Sequence, residues 1–424
     1  MFVTTKFGKL NSELGKRLFE VRAVSLVLKK QLSQKDVNVE EFFKFYSESG
    51  YHDDRYKPLT ARDYDRFLST RALRREPALT RQITSLAYKV GKEMISLAEG
   101  MPNEQVFPFT RLEMQTKHAR MVLEGAELAA ALQYVPSQGL PALLSELRAF
   151  QSEAHRPPPL ARDVLVTNGG QHGIYQCVEL LVEPGDPVLT SEFAYTGIHS
   201  ALKPYQPEII GIPEDEDGML PETLDAVLGE RLRRGLTMPK MMYIIPTGSN
   251  PTGTVLPEDR RRQIYELACR YDFLIVEDDP YMFLNYTDAI LLQLVQCRQS
   301  LASHLSGARA FYRRRRDALH AALEPVQHLA PFAMPHAGLF FWLRVNGVDD
   351  VHNMVFQTAF QRGLMLVPGQ AFLYDTNAPC PYLRLTFSKI RLEDMNVAVQ
   401  TLAEIIRDEQ QRTLKKPKRL ATEG

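Results

Sequence analysis

No stretch of this sequence stays apolar for the roughly 20 residues that a bilayer-spanning helix requires, so no membrane helix is expected. Cysteine is scarce: Cys177, Cys269, Cys297 and Cys380 are the only four in 424 residues, with no CxxC or Cys/His ligand spacing. That scarcity argues against a disulfide framework or a zinc site and for a reducing compartment. Excess charge is lacking too, because Lys+Arg and Asp+Glu both number 51. No net field steers the whole molecule to nucleic acid or to an anionic membrane, so small neutral or zwitterionic partners fit better. Lysine is absent from one long tract, since none occurs between Lys240 and Lys389.

What is present is ordinary globular material, 44% hydrophobic and 24% charged. Residues 1–62 are polar and charge-rich, and "SESGYHDDRYKP" (47–58) reads as a linker. Residues 1–35 hold eight Lys/Arg against Glu13 and Glu20 with apolar residues interleaved. That is the pattern either of a mitochondrial presequence or of a solvated extension, so the location is expected to be mitochondrial or cytoplasmic. Farther on, short apolar runs alternate with helical patterns. "DVLVTNGG" precedes the helix "QHGIYQCVELLVEPG", and "DPVLTSE", "PEIIGIP", "KMMYIIP" and "DFLIVEDD" follow. The alternation predicts an α/β fold with a mostly parallel sheet covered by helices on both faces. Past Asp288 come a long helical stretch, "GLFFWLRV", another helix, "GLMLVPG" and "YLRLTFS", a second and smaller α+β unit. The expected division is an extension over 1–62, an N-terminal arm over 63–110, a large domain over 111–289, a small domain over 290–412 and a basic tail over 413–424.

Ligands of open parallel sheets bind beyond the carboxyl ends of the strands, and the chemistry-bearing residues stand there. Gly169, Gly170 and Gln171 lie between a predicted strand and a helix start, where free N–H groups and the helix dipole favour a phosphate, although a plain turn has the same letters. Asn250 precedes Pro251, placed either to point its amide at a ring substituent or to satisfy its own turn. Glu277, Asp278 and Asp279 end a buried strand, costly without a cation nearby; either they are solvated acids at a strand end, or Asp278 with Tyr281 holds a protonated heterocyclic nitrogen and a phenolic oxygen. Arg384 sits inside an apolar strand and needs a carboxylate, either an internal acid or a substrate's. Tyr195, Tyr134 and the "AEGMPN" loop (98–103) add an aromatic face, a hydroxyl and a close backbone approach. The run Arg313 to Arg316 falls on a helical pattern and predicts a solvated face rather than a nucleic-acid patch. His172 and His336 have no partner spacing and are given no role.

In order, "SLAEGMPNEQVFPF", "ALQYVPSQGLPAL", "VTNGGQHG", "EFAYTG", "PTGSNPTG", "EDDPY", "VPGQAF" and "YLRLTFS" resemble the fold-type I, pyridoxal-phosphate-dependent aminotransferases, most closely the kynurenine/2-aminoadipate aminotransferase group. The resemblance runs from about residue 63 to 410. It implies a homodimer that moves an amino group from an amino acid to a 2-oxo acid such as 2-oxoglutarate, with pyridoxal 5'-phosphate as cofactor and no metal. It implies that Asp278 pairs with the pyridine nitrogen, that Asn250 and Tyr281 bond the ring's 3-oxygen, and that Tyr195 stacks on the ring. Gly170 and Gln171 would lie at the phosphate, and Tyr134 would reach the phosphate of the neighbouring subunit. Arg384 would clamp the α-carboxylate, Arg81 would contact the substrate side chain, and Gly100 belongs to the substrate loop.

The chain departs from the group at "AEG", where two glycines are usual, and at Gly170, where serine is common. The larger departure is the lysine that forms the cofactor's Schiff base, which in the family follows the Asp/Tyr strand after one more strand and a Ser-x-Ser-Lys turn. Here "DDPYMFLNYTDAILLQLVQ" runs from that strand straight into a later helix, and on the order of sixty family residues, enough for two strands and their turns, have no counterpart. "TFSK" (386–389) copies the lysine turn in letters, but it follows the strand that matches the carboxylate clamp, so Lys389 reads as a surface lysine. Without those two strands, "DFLIVEDD" and "DVLVTNGG" should either face a gap or pair directly. The alternative to an active aminotransferase is therefore a catalytically inactive shortened form or pseudoenzyme.

Overall fold

The computed structural model describes residues 59–76, 78, 101–116, 120–155, 157, 162–286 and 299–415. Arg81, Gly100, residues 1–58 with their presequence-like stretch 1–35, the junction around Asp288 and the tail from 416 lie outside them.

The first described elements are a 3-10 turn (Ala61–Arg66) and a short helix α1 (Thr70–Leu73). Tyr64 and Phe67 are buried in the core, and the Ser69 N–H and hydroxyl donate to the Leu180 and Glu179 carbonyls. A two-stranded ribbon, β1 (Arg111–Gln115) and β2 (Arg120–Glu124), leads into α2 (Gly125–Leu132) and α3 (Pro141–His155). Next comes α4 (Gly169–Leu181), which buries Ile174, Cys177, Val178 and Leu181, the i, i+3, i+4, i+7 stripe of an amphipathic helix.

The central sheet follows. Its strands are β3 (Pro187–Ser191), β4 (Glu208–Ile212), β7 (Met241–Ile244) and β8 (Leu274–Glu277), in the order β4-β3-β7-β8 and all parallel. Between them lie α5 (Thr196–Leu202), the small ribbon β5 (Glu214–Asp215) with β6 (Gly218–Met219), α6 (Pro221–Arg233) and α7 (Glu258–Tyr271). Side chains on these strands alternate between two cores, as a pleated sheet covered on both faces requires. Val188, Met241, Tyr243 and Val276 pack with Ile174, Val178, Ile198 and Leu202 of α4 and α5. Leu189, Met242 and Ile244 turn the other way, onto Leu224 and Leu228 of α6 and Ile264 and Leu267 of α7.

"DVLVTNGG" forms no strand, which corrects the expectation from its letters. Leu165 and Val166 are 56% and 41% exposed, and the Val166 N–H donates to Gln138 O instead of to a sheet neighbour. Among the described residues β8 pairs only with β7 and leaves its other edge free. Of the two outcomes open to the sheet, direct pairing of these two segments is not found among the described residues. A strand is completed by its partner, and an apolar run with no neighbour within reach stays extended and unpaired.

The second unit contains α8 (Gln299–Leu323), β9 (Phe340–Arg344), β10 (Val367–Pro368), β11 (Tyr382–Thr386) and α9 (Met395–Lys415). Its sheet is antiparallel in the order β10-β11-β9 and packs Phe341, Leu343 and Leu383 onto Leu319, Leu323, Leu402 and Ile406. The arginine run at 313–316 is the expected solvated face only in part, since Arg313 and Arg314 are exposed while Arg315 and Arg316 turn inward. Arg315 is buried and donates to the carbonyls of Phe387 (2.7 Å) and Ile390, Arg316 donates to Pro335 O at 3.0 Å and lies over the Tyr286 ring, and Arg313 donates to Tyr286 O. Guanidinium groups on a helix that packs against irregular loops are drawn to those loops' free carbonyls. Lys389 is exposed in the bend that Arg315 holds, past the end of β11.

The two units meet backbone to backbone. Gly248 and Gly338 both have positive φ (+63° and +73°), and a Cβ on Gly248 would lie 2.5 Å from the Gly338 nitrogen. Only glycine allows that approach. The Ala194 N–H donates to Phe372 O at 3.0 Å, and the Phe193 ring packs edge-on against Trp342.

Candidate active site

The seam between the units, at the carboxyl ends of β7 and β8, gathers most of the expected residues. Asp278 follows β8 directly, and its N–H donates to Ile244 O at 2.9 Å, which ties the turn to the end of β7. The residue is 3% exposed. Its Oδ2 accepts a 2.7 Å hydrogen bond from the Tyr243 hydroxyl, while its Oδ1 is shut off from water without a partner among the described residues. Burial raises the Asp278 carboxyl above the ordinary range, and the Tyr243 hydrogen bond opposes that rise.

Tyr281, three residues on, sets its ring edge-on against Phe340 at 6.0 Å. Its hydroxyl is pushed up to about 12, mainly by burial; the nearby Arg384 guanidinium lowers it, whereas Asp278 and Tyr195 add to the rise. These groups therefore share one electrostatic neighbourhood. Asn250 is buried ahead of a cis peptide bond to Pro251, and its Oδ1 accepts from Arg384 Nη1 at 2.9 Å.

Arg384 stands in the middle of β11, opposite Trp342. Its guanidinium lies over the rings of Phe340 (4.3 Å) and Phe372 (5.1 Å), and its Nε is buried without a partner. Among the described residues no carboxylate pairs with it, so the internal acid that its letters allowed is not found there. Burial lowers its pKa from the ordinary value. Aromatic faces offset part of the cost of a buried cation, but a guanidinium with a free edge is completed best by a carboxylate.

On the far side Gln171, Tyr195 and Gly197 interlock. Gln171 Nε2 donates to Gly197 O at 2.9 Å, and a Cβ on Gly197 would come within 2.2 Å of both Gln171 Oε1 and Tyr195 Cε1. Gly170 lies in the first turn of α4, whose leading N–H groups have no partner within the helix. Phe193, Ala194, Tyr195, Tyr243, Ser249 and Asn250 line a narrow cleft. Tyr134 stands elsewhere, 57% exposed, on a groove lined by Pro136, Gly139 and Val166. His172 belongs to the helix start, since its Nδ1 accepts from the Asn168 N–H.

The sequence reading missed several members of this site. Tyr243 was legible in principle, as a lone hydroxyl within an aliphatic strand. Phe340 and Phe372, which flank Arg384, carried no signal of their own. Ser191 with Glu214 was missed too: Glu214 Oε1 accepts from the Ser191 hydroxyl at 3.0 Å, and its Oε2 has no partner among the described residues. Burial pushes that carboxyl up to about 7, and Asp279, held by Thr247 at 3.3 Å, rises to about 6. Both acids keep protons in the folded state that they lose in the unfolded one, so unfolding releases protons between pH 4 and 7. Stability is therefore expected to fall as pH rises through that window and to level off above about 7. Denaturant midpoints taken across the range check it. The Glu214→Gln variant should flatten the fall, and an unchanged slope would remove Glu214 as its source.

Residues 92–295 match the family described as aminotransferase class I and II. The chain is 32% identical to the kynurenine/alpha-aminoadipate aminotransferase, mitochondrial, of Rattus norvegicus, over 82% of this chain and 99% of the relative. That alignment spans 422 positions, whereas 82% of 424 residues is about 348, so about 74 positions of the relative face no residue here. Among solved structures it is similar to the aminotransferase Aro8 of Candida albicans (22% identity, TM-score 0.71, 84% of this chain and 99% of that one). It is also similar to a Pyrococcus horikoshii kynurenine aminotransferase (25% identity, TM-score 0.62, 82% and 98%).

Proposed function

Because this chain belongs to the class I and II aminotransferases, we propose that its cleft is a site of the kynurenine/2-aminoadipate kind, receiving pyridoxal phosphate or its amino form with an amino acid or a 2-oxo acid such as 2-oxoglutarate. One observation carries the reading. Among the described residues, an orphaned buried carboxylate oxygen on Asp278 and a guanidinium without a carboxylate partner on Arg384 face one seam, with Asn250 bonded to the arginine. The first suits a ring N–H, and the second suits an α-carboxylate.

When bound, the cofactor supplies the electron sink for the bond broken at the amino acid's Cα. The chain's own residues hold and orient. Asp278 accepts from the ring nitrogen and keeps it protonated. Asn250 and Tyr281 bond the 3-oxygen, Tyr195 covers a ring face, and the first-turn N–H groups at Gly170 and Gln171 receive the phosphate. Arg384 then exchanges its Asn250 contact, or adds to it, when it grips a substrate carboxylate. In a homodimer, exposed Tyr134 serves the neighbouring subunit's phosphate, while Arg81 and Gly100 complete the substrate side. The basic pattern of residues 1–35 and the mitochondrial designation of the rat relative favour a mitochondrial over a cytoplasmic location. Neither nucleic acid nor membrane is a partner in this reading.

A second reading concerns turnover, and the lysine-free tract 241–388 favours it. The site holds its ligands without a covalent anchor, and the chain is a catalytically inactive shortened form that keeps the family's binding groups. About 74 unmatched positions in the rat relative, and the free edge of β8, support it.

Arg384→Lys tests the carboxylate clamp. Titrated calorimetrically into the chain loaded with pyridoxamine phosphate, 2-oxoglutarate should bind roughly 10- to 100-fold more weakly to the variant, because an ammonium cannot replace the planar fork. Equal affinity would refute this placement of the substrate.

A further inference from the structure

Tyr243 is a polar side chain set deep in the central sheet. It is 2% exposed on β7, among Met241, Ile245 and Val276, and it lines the cleft. A phenol in an aliphatic core must bond its hydroxyl or leave it stranded. Its bond goes to Oδ2 of Asp278, the residue just past neighbouring strand β8, at 2.7 Å.

We propose that Tyr243 is a positioning residue for Asp278, holding one carboxylate oxygen so that the other alone is free to receive the cofactor's ring N–H. The inference rests on the proposed binding of the phosphopyridine ring at Asp278. Three observations support it. Asp278 has a fixed backbone, through its N–H bond to Ile244 O, so its remaining freedom is rotation of the carboxyl group. The Tyr243 hydroxyl removes that rotation by bonding Oδ2. Oδ1 then stays buried, with no partner among the described residues, the state of an acceptor kept for a ligand. The bond also favours the charged carboxylate in a site whose burial opposes charge. Tyr243 thereby supports the pairing of a protonated ring with an ionised acid, although it bonds neither ring nor substrate itself.

The test uses the full chain and pyridoxamine 5'-phosphate, whose absorption differs between protonated-ring and neutral-ring forms. Bound ligand is titrated with pH in the unsubstituted protein, in Tyr243→Phe and in Asp278→Asn. In Tyr243→Phe the midpoint for loss of the protonated ring should fall by on the order of one pH unit, with binding weakened several-fold. Asp278→Asn should lose the protonated-ring band near neutral pH. A loss of melting temperature in Tyr243→Phe with the midpoint unmoved would overturn the inference, since a purely structural hydroxyl lowers stability without changing the ring's titration. Should the phenylalanine variant fail to fold, 3-fluorotyrosine placed at position 243 keeps the ring's shape and makes a stronger donor. The midpoint should then rise, and an unmoved one overturns the inference. If Asp278→Asn titrates like the unsubstituted protein, or if that protein binds no pyridoxamine phosphate, the underlying site reading fails and the role of Tyr243 fails with it.

Discussion

Incubation with pyridoxal phosphate followed by borohydride reduction is expected to leave no single lysine of this chain stoichiometrically labelled. Transamination of kynurenine or 2-aminoadipate should run at least about 10²- to 10⁴-fold more slowly than in a lysine-bearing relative, the usual contribution of one positioned proton-transfer group. The reason is positional. No lysine lies between Lys240 and Lys389. Lys240 precedes β7 at the amino end of the sheet and is bonded to Asp186 at 3.2 Å, while Asp278 stands at the carboxyl end. Lys389 is exposed past the end of β11, between the Phe387 and Ile390 carbonyls that Arg315 holds. Peptide mass mapping after reduction reads the result directly. One stoichiometric pyridoxyl group on Lys389 would show that the bend reaches the cleft, and it would restore an anchored enzyme in place of the inactive form.

Gly248→Ala is expected to be the most damaging single methyl addition near the site. The new Cβ would sit 2.5 Å from Gly338 N, 2.7 Å from Gly338 Cα and 2.8 Å from Ala337 C, all backbone atoms that cannot step aside alone. A left-handed φ on a residue with a Cβ costs roughly 1–2 kcal/mol, and forced overpacking roughly 1–3 kcal/mol more, so about 2–5 kcal/mol of stability should be lost. The same methyl would wedge apart the loop carrying Asn250 and the unit carrying Arg384, so pyridoxamine phosphate and 2-oxoglutarate should both bind more weakly. Denaturant unfolding measures the first effect, and ligand titration the second. Gly307→Ala is the control: nothing lies within 4 Å of its Cβ position on α8, and an added methyl there should stabilise by about 0.5–1 kcal/mol. If Gly248→Ala unfolded at the same midpoint as the unsubstituted chain, the close approach at this seam would not constrain the fold.

Much of this molecule was legible in its letters. The runs around Val188, Ile210, Met242 and Ile275 read as parallel strands and form the central sheet. The residues read as chemistry-bearing, Asn250, Asp278, Tyr281 and Arg384, meet at the ends of those strands or on the facing sheet. These were readable because strand period, turn residues and ordered motifs are local properties, set by neighbours a few positions away. The extended segment around Val166 was misread for the complementary reason, since nothing in an apolar run reports whether a partner strand lies beside it.

Composition, periodicity and motif order by themselves determined the fold class, the family and the lysine-free tract, because each is a property of the chain read in line. Tertiary structure alone decided that Arg384 reaches Asn250 across 134 positions, that Tyr243 braces Asp278, that two glycine backbones close the seam and that β8, among the described residues, pairs on one edge only. Those contacts depend on register, on the direction in which each side chain leaves its strand, and on how two cores lean together. Such quantities arise only when distant segments pack, where shape and burial rather than local preference set the free energy.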